Sequence, residues 1–232
     1  MKKTVVASDA ALEELGCFAV RYVKPGQTIG LGTGKAASAF IRALGESRIR
    51  VRGVPTSNAS AQLGRECGIE IVTLADVTGL DADFDGADEV DPRMNLLKGF
   101  GGALVREKIV AASSKKFVVL VGPEKLYPRL GARKRLPIEV IPFGCAFVTR
   151  AVARLGMKAS PRKNGDGSDF ITDNGNPILD CAVHDIRNPA RFERDLLAIP
   201  GVIGTGLFVG MASTVLVASE DGKPPRILKA KG

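Results

Sequence analysis

The feature that most constrains this chain is a regular alternation of short β-prone apolar runs with segments of helical period. Residues 27–31 read as a strand that feeds three glycines, Gly30, Gly32 and Gly34. Residues 35–44 then resume helical spacing, with Ala36, Ala39, Phe40, Ala43 and Leu44 on one face and Gly45 as the expected stop. Residues 51–55 form a second expected strand, 60–67 a crossover helix ending at Gly68, and 69–74 a third strand. A helix over 9–23 precedes this block. A strongly apolar strand over 116–121, closed by Gly122-Pro123, follows it. Strands joined by helices pair in parallel, and a parallel sheet is covered on both faces.

The texture changes near residue 130. A strand over 138–141, a helix over 147–157 and a helix over 189–197 with Pro189 at its start are expected there. Residues 169–172 and 177–183 flank Asp173-Asn174-Gly175-Asn176, a hairpin signal. Residues 207–219 are mostly apolar and return a strand to the main sheet, Asp221-Gly222 is a turn, and 227–228 an edge strand. The expected fold class is α/β: a Rossmann-like, mostly parallel sheet flanked by helices, with a smaller α+β lobe inserted before the last strands. The expected division is 1–130 plus 206–232 for the first domain and 131–205 for the second.

Composition narrows the function classes. Hydrophobic residues make up 45% and charged residues 25% of the 232, the balance of a soluble globular protein. No apolar run approaches the ~20 residues that span a bilayer, and the opening Met1-Lys2-Lys3 is followed by too short an apolar stretch for a secretory signal. A cytoplasmic protein without membrane association is expected. Four separated cysteines with no CxxC pair disfavour zinc and redox sites, so free buried thiols are expected. The net charge of +8 suits an anionic small substrate as well as nucleic acid. With two Tyr and no Trp there is little to stack on single-stranded bases, so no nucleic-acid partner is expected.

Three segments carry chemistry. Gly30-Leu31-Gly32-Thr33-Gly34-Lys35 joins a strand to a helix, where glycines admit an anion to free N–H groups at a positive dipole end. It is not a Walker A loop, because Ile29 and Ala36 stand where Gly and Ser or Thr are required. A dinucleotide site would want an acidic residue after the second strand, where Val54-Pro55-Thr56-Ser57 stands instead. A phosphate cradle and a plain tight turn remain. In the acidic run Asp81 to Asp91, a calcium loop would need Glu at the position of Pro92. Asp85-Gly86-Ala87-Asp88-Glu89 instead brings carboxylates close together, which can set a proton donor beside an acceptor; a solvated acidic loop is the alternative. In Lys98 to Lys108, Glu107 shares a helix face with Ala103 and can face the glycine turn and Lys98 as a general base. Its alternative is a surface glutamate paired with Arg106 or Lys108.

Taken together and in this order, these motifs resemble the ribose-5-phosphate isomerase A family. Pro137-Ile138-Glu139-Val140-Ile141-Pro142, Thr172-Asp173-Asn174-Gly175-Asn176 and Ile199-Pro200-Gly201-Val202 extend the resemblance over nearly the whole chain. It implies a cofactor-free, metal-independent aldose–ketose isomerase acting on a sugar phosphate. Thr33, Gly34, Lys35 and Ala36 match the family's phosphate loop. Asp85 and Asp88, with Gly86 and Ala87 between them, match the pair that contacts sugar hydroxyls and helps open the ring. Lys98, Gly99, Phe100 and Gly101 match the segment that holds the sugar oxygens. Glu107 matches the catalytic base and Lys125 a substrate-binding lysine. Two departures stand out. Lys35-Ala36 replaces the usual Ser-Thr, which removes two hydroxyl donors and makes Lys35 the candidate to supply charge instead. Phe100 adds bulk to a run of glycines. A non-catalytic sugar-phosphate sensor and other enzymes on related scaffolds are the rival readings; the presence of both Lys98 and Glu107 argues against them. A homo-oligomer, dimer or tetramer, is the general expectation.

Overall fold

The computed structural model describes residues 6–220 and 223–229. The helices are α1 (Asp9–Val20), α2 (Lys35–Ser47), α3 (Asn58–Glu66), α4 (Leu104–Ala112), α5 (Cys145–Arg154) and α6 (Pro189–Leu197). The first seven strands are β1 (Thr28–Leu31), β2 (Arg52–Pro55), β3 (Glu70–Ile71), β4 (Ala82–Gly86), β5 (Glu89–Val90), β6 (Leu96–Leu97) and β7 (Phe117–Val121). The remaining seven are β8 (Leu136–Val140), β9 (Ala159–Pro161), β10 (Ile178–Cys181), β11 (Val202–Thr205), β12 (Leu207–Phe208), β13 (Thr214–Val217) and β14 (Arg226–Lys229). The expected turn at Asp221-Gly222 lies outside the described residues.

The chain divides into two compact units, Met1–Ala87 with Arg106–Leu126 and Met211–Gly232, and Asp88–Val105 with Tyr127–Gly210. The first holds a seven-stranded sheet in the order β14-β13-β7-β4-β1-β2-β3. Every pairing in it is parallel except that of β13 with the edge strand β14. One face packs Leu15 and Ala19 of α1 and Phe40, Ile41 and Leu44 of α2 onto Ile29, Leu31, Phe84, Val118 and Leu120. The rings of Phe40 and Phe84 stack with centroids 4.2 Å apart. On the opposite face Val110 of α4 packs with Val54 and Leu80. Because strand side chains alternate, Asp83 and Asp85 of β4 project to that second face while Phe84 points to the first. Ser8 caps α1 by accepting the Ala11 N–H, and Ser57 and Ser60 form a reciprocal cap on α3.

The second unit packs α5 and α6 on a four-stranded antiparallel sheet, β11-β8-β10-β9, around Leu136, Ile138, Val148, Val152, Leu179 and Leu196. It also contains a small antiparallel sheet, β12-β6-β5. Residues 88–105 belong to this unit. Their strands are only two residues long, too short to leave a periodicity, and their pairing partner β12 is more than a hundred residues away.

Several elements differ from expectation. Helix α2 runs through Gly45 to Ser47 and ends on Arg48 in the left-handed region (φ 56°). Gly45 is a contact residue and not a stop: a β-carbon there would lie 2.6 Å from the Cys67 carbonyl oxygen. The third strand shrinks to Glu70–Ile71 and gives way to a 3-10 turn over Leu74–Asp76 capped by Thr73. The hairpin over 169–183 survives only at its tip, as one Ile171–Pro177 bridge, because β10 pairs with β8 and β9 instead. The first half of the acidic run, residues 82–86, is the buried strand β4 at the middle of the sheet, with Asp83 and Asp85 fully buried. All four cysteines are free, but only Cys181 is buried, where burial pushes its thiol up to about 12; Cys17 is exposed.

Candidate active site

In the first unit β2 and β3 lie on one side of β1 and β4 on the other, so the strand order reverses between β1 and β4. In open α/β sheets ligands bind beyond the carboxyl ends of the strands at such a reversal. The glycine turn leaves β1 at that end, and Asp85 and Gly86 finish β4 there. The two are tied together. Gly32 N–H donates to the Phe84 carbonyl (3.0 Å), and Thr33 N–H donates to Asp85 Oδ1 (3.0 Å), which also accepts the Gly86 N–H (2.6 Å). Glycine is required at position 32 because a β-carbon would sit 2.6 Å from the Asp85 Cα.

Gly34 is the N-cap of α2, with φ 110° and no side-chain cap. The backbone at the helix start is therefore open to an anion. Lys35 does not reach into this turn: its ammonium group pairs with Asp9 at 3.2 Å, and both side chains are 80% exposed. Ala36 packs against the core between α1, α2 and the sheet. Hydroxyls come instead from β2 and its following loop. Thr33 Oγ1 lies 2.8 Å from both Thr56 Oγ1 and Ser57 Oγ. Thr56 is fully buried, and Ser57 in turn caps α3. These two residues escaped the sequence reading. They stand after the second strand, where a dinucleotide site would carry an acidic ribose partner, and their own hydroxyls are the local signal.

Helix α4 runs antiparallel to β4. Near its end, Leu80 N–H donates to Ser113 O (2.9 Å) and Lys115 N–H to Leu80 O (2.9 Å). Further up, the Asp83 carboxylate and a Val110 methyl both crowd the point where a Gly30 β-carbon would lie. Glu107 stands three residues before Val110 on the same helix face, so it lies one turn closer to the carboxyl ends of β1 and β4. It closes the first turn of α4 and is only 3% exposed. That burial separates it from a solvated surface glutamate. Lys125 ends the 3-10 turn after β7, at the same edge of the sheet, with its ammonium group 3.9 Å from Glu124. The first unit thus gathers Thr33, Gly34, Asp85, Gly86, Ala87, Glu107 and Lys125 at one edge.

The second unit gathers the rest. Asp88 N–H donates to Leu97 O (2.9 Å), and Asp88 Oδ2 accepts the Phe100 N–H (3.0 Å). Lys98 is 2% exposed, its N–H donates to Gly206 O (2.8 Å) and its ammonium lies 5.4 Å from the centre of the Phe208 ring. Gly99 and Gly102 close a turn by a 3.0 Å hydrogen bond, with Phe100 and Gly101 at its tip. The Phe100 ring is stacked by the guanidinium groups of Arg133 (4.8 Å) and Arg135 (4.9 Å). Beneath the turn, Asp180 accepts hydrogen bonds from Arg162 and Arg135. Burial alone would raise the Asp180 pKa, but the two guanidinium groups outweigh it and hold the group below the ordinary aspartate value.

The unfolded chain therefore takes up the Asp180 proton first as the pH falls. The stabilisation is complete above about pH 4 and is lost as the pH drops through the lower folded value. The thermal midpoint of the wild type is expected to fall more steeply in this acid range than that of Asp180→Asn. Parallel curves would remove Asp180 from the acid response.

Among the described residues no helix is long and apolar enough to cross a membrane. Comparison with known proteins bears directly on this site. The family model for ribose 5-phosphate isomerase A (phosphoriboisomerase A) matches residues 52–222. The ribose-5-phosphate isomerase A of Roseiflexus sp. (strain RS-1) is 46% identical over 209 residues, 88% of this chain and 90% of the relative. The solved ribose 5-phosphate isomerase A of Methanocaldococcus jannaschii superposes with a TM-score of 0.90 at 38% identity, covering 96% of this chain and all of that one. A D-ribose-5-phosphate isomerase solved in complex with phospho-erythronic acid gives 0.92 at 36% identity, over 97% of this chain and all of that one. With the sheet order, the glycine turn and the buried glutamate in place, the conclusion follows that the chain belongs to the ribose 5-phosphate isomerase A family.

Proposed function

We propose that this chain interconverts D-ribose 5-phosphate and D-ribulose 5-phosphate through an enediolate, with Glu107 as the general base. The observation that carries the reading is a nearly inaccessible carboxylate, Glu107, in the first turn of α4 and at the same sheet edge as an uncapped helix start. A phosphate bound at the β1–α2 turn meets backbone N–H groups and the Thr33 hydroxyl, supported by Thr56 and Ser57. Asp85, oriented by two backbone N–H donors, or Asp88, fixed to the Phe100 N–H, helps open the ring and then moves the hydroxyl proton from the oxygen on carbon 2 to the oxygen on carbon 1. Glu107 takes the proton from carbon 2 of the open-chain aldose and returns it to carbon 1. The negative oxygen formed between these steps is neutralised by Lys98 and by backbone N–H groups of the following turn. Lys125 adds a positive charge for the substrate.

The ligand of the solved relative supports this assignment, since an erythronic acid carries a carboxylate where the enediolate would develop its charge. The same reading carries a cytoplasmic homo-oligomer, dimer or tetramer. Phe143 (98% exposed), with Phe147 and Ile141 nearby in sequence, is apolar surface that such an association would cover.

The direct test is an assay of ribose 5-phosphate conversion on purified protein after chelation of divalent ions. Formation of ribulose 5-phosphate under those conditions is the expected result. A folded but inactive protein, or activity that returns only on adding a metal, would overturn the reading.

A further inference from the structure

Arg162 follows β9 directly and is 7% exposed. Its guanidinium makes four hydrogen bonds in two directions. Nη1 donates to the Gly99 carbonyl (3.0 Å) and to the Phe100 carbonyl (3.1 Å). Nε and Nη2 donate to the two oxygens of Asp180, at 3.0 and 2.7 Å. Asp180 sits in β10, its Oδ2 also accepts a hydrogen bond from Arg135 Nη2 (2.7 Å), and the Phe170 ring lies 5.5 Å from the Arg162 guanidinium carbon.

Successive carbonyls of an extended chain point in opposite directions. Here two successive carbonyls converge on one cation, which is possible because residues 99–102 form a turn, closed by Gly102 N–H on Gly99 O, instead of an extended chain. The next amide, Phe100 N–H, is then directed to Asp88 Oδ2. The turn after Lys98 is thus pinned on its carbonyl side by Arg162 and on its amide side by Asp88. A planar fork that binds a carboxylate with one edge and two carbonyls with the other cannot be replaced by a point charge.

We propose that Arg162 is a positioning residue for the isomerase reaction, its guanidinium fixing the Lys98–Gly101 turn in the geometry that presents Lys98 and Asp88 to the sugar. This rests on the function proposed above. The Asp180 carboxylate orients the fork, Phe170 covers it, and the turn's conformation follows from both.

The test uses the full-length enzyme with Arg162→Met and Arg162→Lys. The kcat and KM for ribose 5-phosphate are measured well below each variant's unfolding midpoint, together with amide exchange at Phe100 and Gly102. Arg162→Met is expected to lose on the order of a hundredfold in kcat/KM, mostly in kcat, as misplacement of a reacting group does. Arg162→Lys should recover only part of that loss while restoring most of the thermal midpoint, because it keeps the charge but not the fork. Exchange at Phe100 and Gly102 should rise about tenfold or more in both variants. If Arg162→Met does not fold, Arg162→Lys carries the test. A folded variant with both kinetic constants within twofold of wild type, or with unchanged exchange at the turn, overturns the proposal. A wild type without turnover would remove the isomerase reading instead, and the exchange arm would still decide whether Arg162 holds the turn.

Discussion

Glu107→Gln is expected to lower kcat by a hundredfold or more while leaving KM for ribose 5-phosphate within a few-fold of wild type. Glutamine keeps the volume and a hydrogen-bonding oxygen, so the packing of a side chain only 3% exposed is preserved. What it lacks is the capacity to accept the carbon-bound proton. Loss of a group needed only in the transition state lowers kcat without a matching rise in KM. The comparison variant is Glu107→Asp, which keeps the carboxylate but withdraws it by one methylene; it should retain more activity than the glutamine variant. Near-normal turnover of Glu107→Gln would take Glu107 out of the mechanism. A matched collapse of the thermal midpoint would instead mark a folding defect, so both are measured on the same preparation.

Glu89→Ala is expected to destabilise the protein by about 3–5 kcal/mol, from buried N–H donors left without an acceptor at about 1–3 kcal/mol each together with the cavity left by the side chain. Glu89 is fully buried in β5, and its two oxygens accept the backbone N–H groups of Gly131 (2.7 Å), Ala132 (3.2 Å) and Arg133 (2.7 Å). Those three amides come from a loop that then delivers Arg133 and Arg135 to the Phe100 ring. Truncation leaves the donors to whatever water can enter and opens a cavity where the side chain was. Urea unfolding of wild type, Glu89→Gln and Glu89→Ala measures it, with the glutamine variant intermediate because its amide oxygen can still accept. A loss under about 1 kcal/mol for the alanine variant would show that the loop is held by other contacts.

Glu89 also shows where sequence reading stops. The run Asp85-Gly86-Ala87-Asp88-Glu89 was recognisable as a family motif, but its last residue had no role there. Its ligands are 42 to 44 residues away and are backbone N–H groups, which leave no trace in residue identity. Asp83 is a second case. A cluster of aspartates looks like a solvated loop because the charge outweighs the flanking alanine and phenylalanine in any local hydrophobicity pattern. The sheet can bury it because Gly30 on the neighbouring strand and Gly32 just after it leave room for the carboxylates of Asp83 and Asp85. The expected hairpin over 169–183 failed for a related reason: turn chemistry at Asn174-Gly175 was correct, but strand pairing went to β8 and β9.

Local periodicity was enough for the core elements. Helices α1, α2 and α6, strands β1, β2 and β7 and the edge strand β14 all lie within a few residues of where spacing, caps and breakers place them. Those signals arise between residues a few positions apart, and a single chain carries them intact. The family, too, was legible, because its motifs combine residue types that chance spacing rarely supplies in that order. Tertiary structure alone decided the two-residue strands β5, β6 and β12, the hydroxyl group formed by Thr33, Thr56 and Ser57, and the Arg162–Asp180 brace under the turn after Lys98. Apart from the short β5–β6 pairing, they depend on partners from 18 to more than a hundred residues apart. Such contacts form only once the sheet brings the segments together, and the free energy that selects them belongs to the pair and not to either stretch of sequence.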